Sequence, residues 1–401
     1  MASIIIPNYN HGRYLSDAVQ SVLNQAYRNF EVIVIDDGST DNSREVAAQF
    51  GNQIRYIWQE NQGLSAARNT GIRATTGDLI GLLDADDIYE PHFLSTLVFS
   101  LQANPTADGI YCGYRFVDDQ NKPLPQIESR SIPSEQLHKA LVGGNFLVPE
   151  SMLVRRHCYE AVGPFDESLR ACEDWDIWLK ITEQFNIIGT RQVLTRHRIL
   201  PGSMSSDPIR MLTNRLTVIR QHFGPEPKNA KAGTSTQRQA YGRAYLTTAV
   251  EYLQYHDEAQ AYECLQKMAV IAPELLTELE TFYELGCGDQ PKGSRGQFTT
   301  LNTLRSTAIL LDMLNKLFAD PRLPAEAKIH KQQAFVQAYL ALGLLNYGAR
   351  QFKEARQMLL NAAATDPTYL LDRRLMSPLI KSLPGTGVLR QLGLKQQRTV
   401  D

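Results

Sequence analysis

The sequence predicts an α/β domain with a mostly parallel sheet, followed by an all-α domain. Three observations carry this. Short apolar runs alternate with helical spacing three times within the first ninety residues. The run Glu31–Ile35 is apolar without alternation, as a parallel strand covered on both faces must be. Beyond residue 237 the pattern is helical nearly to the end.

The β-branched run Ser3–Pro7 is the first strand, and Pro7-Asn8-Tyr9-Asn10-His11-Gly12 turns the chain. Leu15, Val19, Val22 and Leu23 then have helical spacing. Glu31–Ile35 ends in Asp36-Asp37-Gly38-Ser39-Thr40-Asp41, where Ser39 or Thr40 can cap a helix reaching about Phe50. Ile54–Trp58 is a third strand, Leu64–Ala74 a helix, and Asp78–Leu83 a strand leading into Asp84-Ala85-Asp86-Asp87. Such alternation implies right-handed crossovers, and ligands of such sheets bind beyond the carboxyl ends of the strands. Pro7-Asn8, Asp36-Asp37 and Asp84–Asp87 all fall there. The middle segment reads as strands over Ala107–Val117, Ser151–Arg155 and Ile187–Leu200, with helices over Glu135–Leu141 and Glu173–Phe185.

Composition narrows the class. The chain has 401 residues, too many for one ordinary core, with 43% hydrophobic and 21% charged residues. A net charge of -2 gives no basic field for nucleic acid. No signal peptide and no membrane-length apolar run are recognisable, and five scattered cysteines read as reduced thiols. The expectation is a cytoplasmic protein with at most peripheral membrane contact. There is no G-x-G-x-x-G after the first strand and no P-loop, which disfavours dehydrogenases and P-loop NTPases. A nucleotidyltransferase would need a lysine-bearing loop near the first strand, and Pro7–Gly12 has none.

The crowded carboxylates at Asp84, Asp86 and Asp87 repel one another, so a cation belongs among them. Mg²⁺ or Mn²⁺ takes one or two carboxylates and completes its shell with water and phosphate oxygens. Gly63 precedes a helix start with Arg68 one turn in, which suits a nucleotide phosphate or base; Arg68 as a surface ion pair is the competing reading.

Five motifs resemble family 2 glycosyltransferases of the GT-A fold. They are Ile6-Pro7-Asn8-Tyr9-Asn10, Val34–Asp41, Asn61–Asn69, Leu83-Asp84-Ala85-Asp86-Asp87 and Cys172-Glu173-Asp174-Trp175-Asp176, in family order over about half the chain. The resemblance implies a Rossmann-like nucleotide-sugar-binding domain. It also implies a metal-dependent, inverting transfer of sugar from a nucleotide diphosphate, UDP above all, to an acceptor hydroxyl. It places Asp86 on the metal with Asp87 alongside, and Asp84 and Ala85 near the ribose or donor sugar. Asp37 falls on the uracil base with Asp36 beside it. Pro7, Asn8, Tyr9, Asn61, Gly63 and Arg68 are placed around the donor, and Asp174 is the general base. Trp175 and Trp178, at helical spacing, read as core. His197 reads as structural, its strand turning it from the site, although many relatives have a late histidine on the metal. The Q-x-x-R-W motif of processive members is absent, so the enzyme is expected to be non-processive, with a glycan, lipid-linked or protein acceptor.

Gly224–Gln237 collects Pro, Gly, Lys, Ser and Thr and reads as a linker between residues 1–223 and 238–401. Within the helical part, Tyr245–Pro273 and Tyr339–Pro367 align at Tyr245/Tyr339, Ala261/Ala355, Leu265/Leu359 and Pro273/Pro367. Small residues at fixed places with a closing proline resemble tetratricopeptide helix pairs and imply a protein partner. An alternative function follows: a helical interaction module carrying a nucleotide-sugar-sensing, catalytically weak transferase domain. The basic stretch Arg373–Arg398 reads either as a solvated helix or as a surface for anionic membrane.

Overall fold

The computed structural model of the chain describes residues 1–382. It divides into two compact units, Met1–His222 and a second from Phe223 onward.

In the first unit, β1 (Ala2–Asn8), β2 (Phe30–Asp37), β3 (Arg55–Gln59) and β4 (Leu79–Leu82) lie in the order β3-β2-β1-β4, all parallel. Two helices are packed on opposite faces of β1. On one face α1 (Gly12–Leu23) presents Leu15, Val19 and Val22 to Ile4 and Ile6. On the other, α3 (Leu64–Ala74) approaches so closely that a Cβ on Gly71 would lie 2.3 Å from Ile5 Cγ2. Gly71→Ala should therefore cost roughly 1–3 kcal/mol by overpacking, read from a denaturant midpoint; an unchanged midpoint would refute the tight approach.

Beyond β4 the sheet becomes mixed. The added elements are β5 (Ile88–Tyr89), α4 (Phe93–Ala103), β6 (Gly109–Val117), β7 (Pro123–Glu128), α5 (Ser134–Val142), β8 (Met152–Arg155), α6 (Arg156–Val162), α7 (Glu173–Gln184), β9 (Ile187–Arg198) and α8 (Pro208–Phe223). The order continues β4-β8-β6-β9-β5, with β7 on β6. β8 is antiparallel to both its neighbours, whereas β9 is parallel to β6 and antiparallel to β5. By register most of the sheet is parallel, as expected. The two-residue β5, the hairpin strand β7 and helices α4, α6 and α8 are additions to the expected elements.

One capping expectation is corrected. Neither Ser39 nor Thr40 caps the second helix, because α2 starts only at Ser43 (Ser43–Ala48). Ser39 Oγ instead accepts from Asn8 Nδ2 at 3.1 Å and Asn10 N at 2.9 Å, and Asn10 Oδ1 accepts from Thr40 N at 2.7 Å. The turns after β1 and β2 are thereby tied together.

The second unit is helical. α9 (Ser235–Gln254) begins inside the stretch read as linker. Thr234 and Gln237 form a reciprocal capping box, so residues 235–237 are its first turn. The repeat seen in sequence extends in structure. α9, α10 (Glu258–Ile271), a 3₁₀ turn from Pro273 and α11 (Leu279–Gly286) match α14 (Lys331–Gly348), α15 (Phe352–Thr365), a 3₁₀ turn from Pro367 and α16 (Arg373–Ser382). The copies lie 94 residues apart, from Tyr245 to Tyr339. Both helix-to-helix turns pass through a left-handed residue, His256 at φ 60° and Arg350 at φ 62°. Between the copies lie α12 (Thr303–Ala319) and the short α13 (Ala325–Lys328). No described helix is long and apolar enough to cross a membrane. Of the basic stretch, Arg374 is paired with Asp372 at 2.6 Å, and Arg390, Lys395 and Arg398 lie outside the described residues.

Candidate active site

Parallel registers decide what shares a rim. Asn8 stands opposite Asp36 on neighbouring strands, and Ile5 opposite Leu82, so the chain leaves β1, β2 and β4 on the same side. Pro7-Asn8, Asp36-Asp37 and Asp84–Asp87 therefore meet there.

Asp36 and Asp37 divide their work by strand alternation. Asp36 accepts from Ser39 N at 2.9 Å and from the Tyr56 hydroxyl, so it shapes the turn. Asp37, 3% exposed, accepts from Gln59 Nε2 at 2.6 Å, Gln62 N at 3.0 Å and Gly63 N at 2.8 Å. It thus fixes the loop entering α3. Gly63 has φ 97°, a conformation open to glycine. Asn61 is exposed beside this turn, and Tyr9 is 48% exposed after β1. Pro7 is buried, and the Ala85 methyl packs in the apolar core, which leaves these two only their backbone for a ligand.

Arg68 is not a surface ion pair. It is 1% exposed, with Nη2 2.8 Å from Asp84 Oδ1 and Nη1 2.5 Å from Glu173 Oε1. Its guanidinium also lies 5.5 Å from the Phe165 ring centroid. Burial opposes its charge, but Asp84 and Glu173 more than restore it and raise its pKa. One buried cation thus joins the acidic loop after β4 to the start of α7.

Asp174 follows at that helix start, half-buried. Its Oδ2 accepts from Asn145 Nδ2 at 2.8 Å and its Oδ1 from Trp175 N at 2.7 Å. Burial, and then the Glu173 charge, push its carboxyl up to about 7 against the pull of Arg68. Cys172 enters this helix at φ 62°, which is strained for a non-glycine residue. Trp175 and Trp178 are core, at 3% and 0% exposure.

The acidic loop is closed behind by β9, and here the direction expected of His197 is corrected. β5 pairs Ile88 with Arg196, which brings the end of β9 against the loop. His197 points toward the carboxylates, with Nδ1 3.3 Å from Asp87 Oδ2 and 2.9 Å from Glu150 Oε1. Glu150 is fully buried, and the sequence had offered no reason to notice it. Burial opposes a charged His197, but Asp87 and Glu150 raise its pKa well above the ordinary value. Asp87 Oδ1 also accepts from Arg198 N at 2.7 Å, and Arg198 Nε donates to Asp86 O at 2.7 Å. Asp86 carries the least compensation. Burial, then Asp87 and Asp84, push its carboxyl up to about 7, and His11 Nδ1 lies 3.8 Å from Oδ2.

A family profile described as Glycosyl transferase family 2 matches residues 3–163. An uncharacterised glycosyltransferase of Rickettsia prowazekii is 31% identical over 222 residues, which is 53% of this chain and 68% of that protein. Another, from Nostoc sp., is 37% identical over 185 residues, covering 44% of this chain and 56% of its own. A solved mannosyltransferase of Pyrobaculum calidifontis, in complex with GDP-Man and Mn²⁺, aligns over 84% of this chain and 86% of its own, at 15% identity and a TM-score of 0.48. That is too loose a likeness for anything about ligands to rest on. The β3-β2-β1-β4 order, the acidic rim and the Rickettsia relative all lead to one assignment: the chain belongs to glycosyl transferase family 2, and the reaction it catalyses is glycosyl transfer.

Proposed function

We propose that the chain is a metal-dependent, inverting, non-processive glycosyltransferase that takes a sugar from a UDP-sugar to an acceptor hydroxyl. One observation carries the proposal: Arg68 holds Asp84 of the acidic loop and Glu173, beside Asp174, on a single guanidinium. Donor-side and acceptor-side carboxylates are thereby adjacent, as direct displacement requires. The acceptor hydroxyl attacks the anomeric carbon as the bond to the diphosphate oxygen breaks on the opposite face. Asp174 takes the hydroxyl proton, and configuration inverts. Asp37 accepts a base N–H, and Asp84 faces the ribose or donor sugar.

The residues fit a divalent cation, since Asp86 offers hard oxygens and its charge is opposed by burial and by two neighbouring carboxylates. Asp86 would hold the ion. Asp87 would stand behind it, held by His197 and Arg198 N. When bound, the ion neutralises charge on the leaving diphosphate.

The test is UDP binding by calorimetry with and without Mn²⁺. The wild type should bind UDP more tightly with Mn²⁺ than without, and Asp86→Ala should lose that gain and nearly all transfer while keeping its melting temperature. Equal UDP affinity with and without Mn²⁺ would refute metal dependence.

The helical unit, with its duplicated helix pairs resembling tetratricopeptide repeats, is proposed to recruit a protein partner. It contains a cavity of about 540 Å³ lined by Lys228, Lys267, Val270, Leu317 and Leu323 among others. The weakly catalytic alternative is disfavoured because Asp37, Asp84, Asp86 and Asp174 are all present.

A further inference from the structure

The neighbours of Asp86 in the acidic loop are already held. Asp84 Oδ1 lies 2.8 Å from Arg68 Nη2, and Asp87 Oδ1 accepts from Arg198 N at 2.7 Å while its Oδ2 lies 3.3 Å from His197 Nδ1. Asp86 is different. Arg198 Nε uses its backbone carbonyl, but among the described residues its carboxylate oxygens accept no hydrogen bond.

Facing that carboxylate is His11, where α1 begins. The His11 carbonyl accepts from Tyr14 N at 2.8 Å and Leu15 N at 2.9 Å, so its backbone starts the helix, whereas its side chain caps nothing. The ring is tilted against Tyr14, with centroids 6.1 Å apart. Its Nδ1 is buried without a hydrogen-bond partner among the described residues, and lies 3.8 Å from Asp86 Oδ2. A buried nitrogen left unpaired costs free energy unless something fills the gap.

The separation restricts what can fill it. At 3.8 Å the two atoms are too far apart for a hydrogen bond. They are too close for a bridging water, which at hydrogen bonds of about 2.8 Å and a tetrahedral angle spans about 4.6 Å. Two ligands of one ion at about 2.1 Å stand between about 3 Å and about 4.2 Å apart, so a single cation can touch both.

We propose that His11 Nδ1 is a second protein ligand of the divalent cation, beside Asp86, and that this nitrogen makes the site favour Mn²⁺ over Mg²⁺. Mg²⁺ takes hard oxygen ligands, whereas an imidazole suits transition-metal ions better. The ring would bind neutral, with its proton on Nε2. The proposal rests on the metal-dependent reading above and deepens it.

The experiment follows Mn²⁺ by electron paramagnetic resonance on the full chain with UDP, in wild type, His11→Ala and His11→Gln. Spin-echo modulation from a directly bound nitrogen should appear in wild type and vanish in both variants. Mn²⁺ affinity should fall roughly tenfold or more in His11→Ala, while Mg²⁺ affinity, read by competition, changes little. Bound Mn²⁺ without nitrogen modulation, or modulation that survives in His11→Ala, would overturn the assignment and leave metal dependence standing. Failure of wild type to bind Mn²⁺ at all would sink the metal reading and this proposal with it. An unchanged melting temperature, expected because the His11 backbone rather than its ring starts α1, shows that the variants are folded.

Discussion

Arg68→Met is expected to destabilise the first unit by about 3–5 kcal/mol, the size typical of removing one partner from a buried ion pair. The side chain it replaces is 1% exposed between Asp84 and Glu173, whose side chains are 25% and 7% exposed. Methionine fills much of the volume but leaves two carboxylates facing each other without a cation. Arg68→Lys should recover only part of the loss, since an ammonium does not fork between two acceptors as a guanidinium does. Adding Glu173→Gln to Arg68→Met should also regain stability by removing one orphaned charge. Urea denaturation followed by circular dichroism reads all three. A loss below about 1 kcal/mol for Arg68→Met would mean that the pair behaves as an exposed one.

Asp174→Asn should cut transfer by roughly 10²–10⁴-fold, the range for losing a general base, with the fold intact. Asparagine keeps the shape and the hydrogen bond from Trp175 N but cannot accept the acceptor's proton. The pH profile separates this from a structural effect. Asp174 must be charged to act, and its carboxyl is raised to about 7 by burial and Glu173. Wild-type transfer at saturating metal should therefore climb as pH passes about 7, while the variant stays low and flat. Stability moves the other way. A carboxyl whose folded pKa lies above the ordinary 3.8 stabilises the fold fully below that value, and the contribution is lost as pH rises to about 7. Asp174→Asn should accordingly be no less stable than wild type at pH 8. Wild-type activity in the variant would remove Asp174 from the mechanism.

Much of the fold was legible because its signals are local. A strand covered on both faces must be apolar throughout, and Ile4, Ile5 and Ile6, Val32 to Ile35, and Leu82 are all buried. Helix α3 begins at Leu64 and ends at Ala74, as read from the glycine before it and the spacing within it. The repeat at Tyr245 and Tyr339 was visible because the same small residues meet the same helix-packing constraint twice. Elements without such a signal were missed. β5 has two residues, too few for any period, yet its pairing aims His197 at Asp87.

The site divides along the same line. By itself the sequence determined the three polar rims after β1, β2 and β4, because strand ends and the residues that follow them are adjacent along the chain. Only the tertiary structure decided how those charges are compensated. Arg68 meets Glu173 across 105 residues, and His197 on β9 meets Asp87 across 110 and the buried Glu150 across 47. A charge is stabilised by whatever lies within a few ångströms of it in space. Chain order carries no trace of that neighbour until β8, β9 and α7 have packed against the parallel half of the sheet.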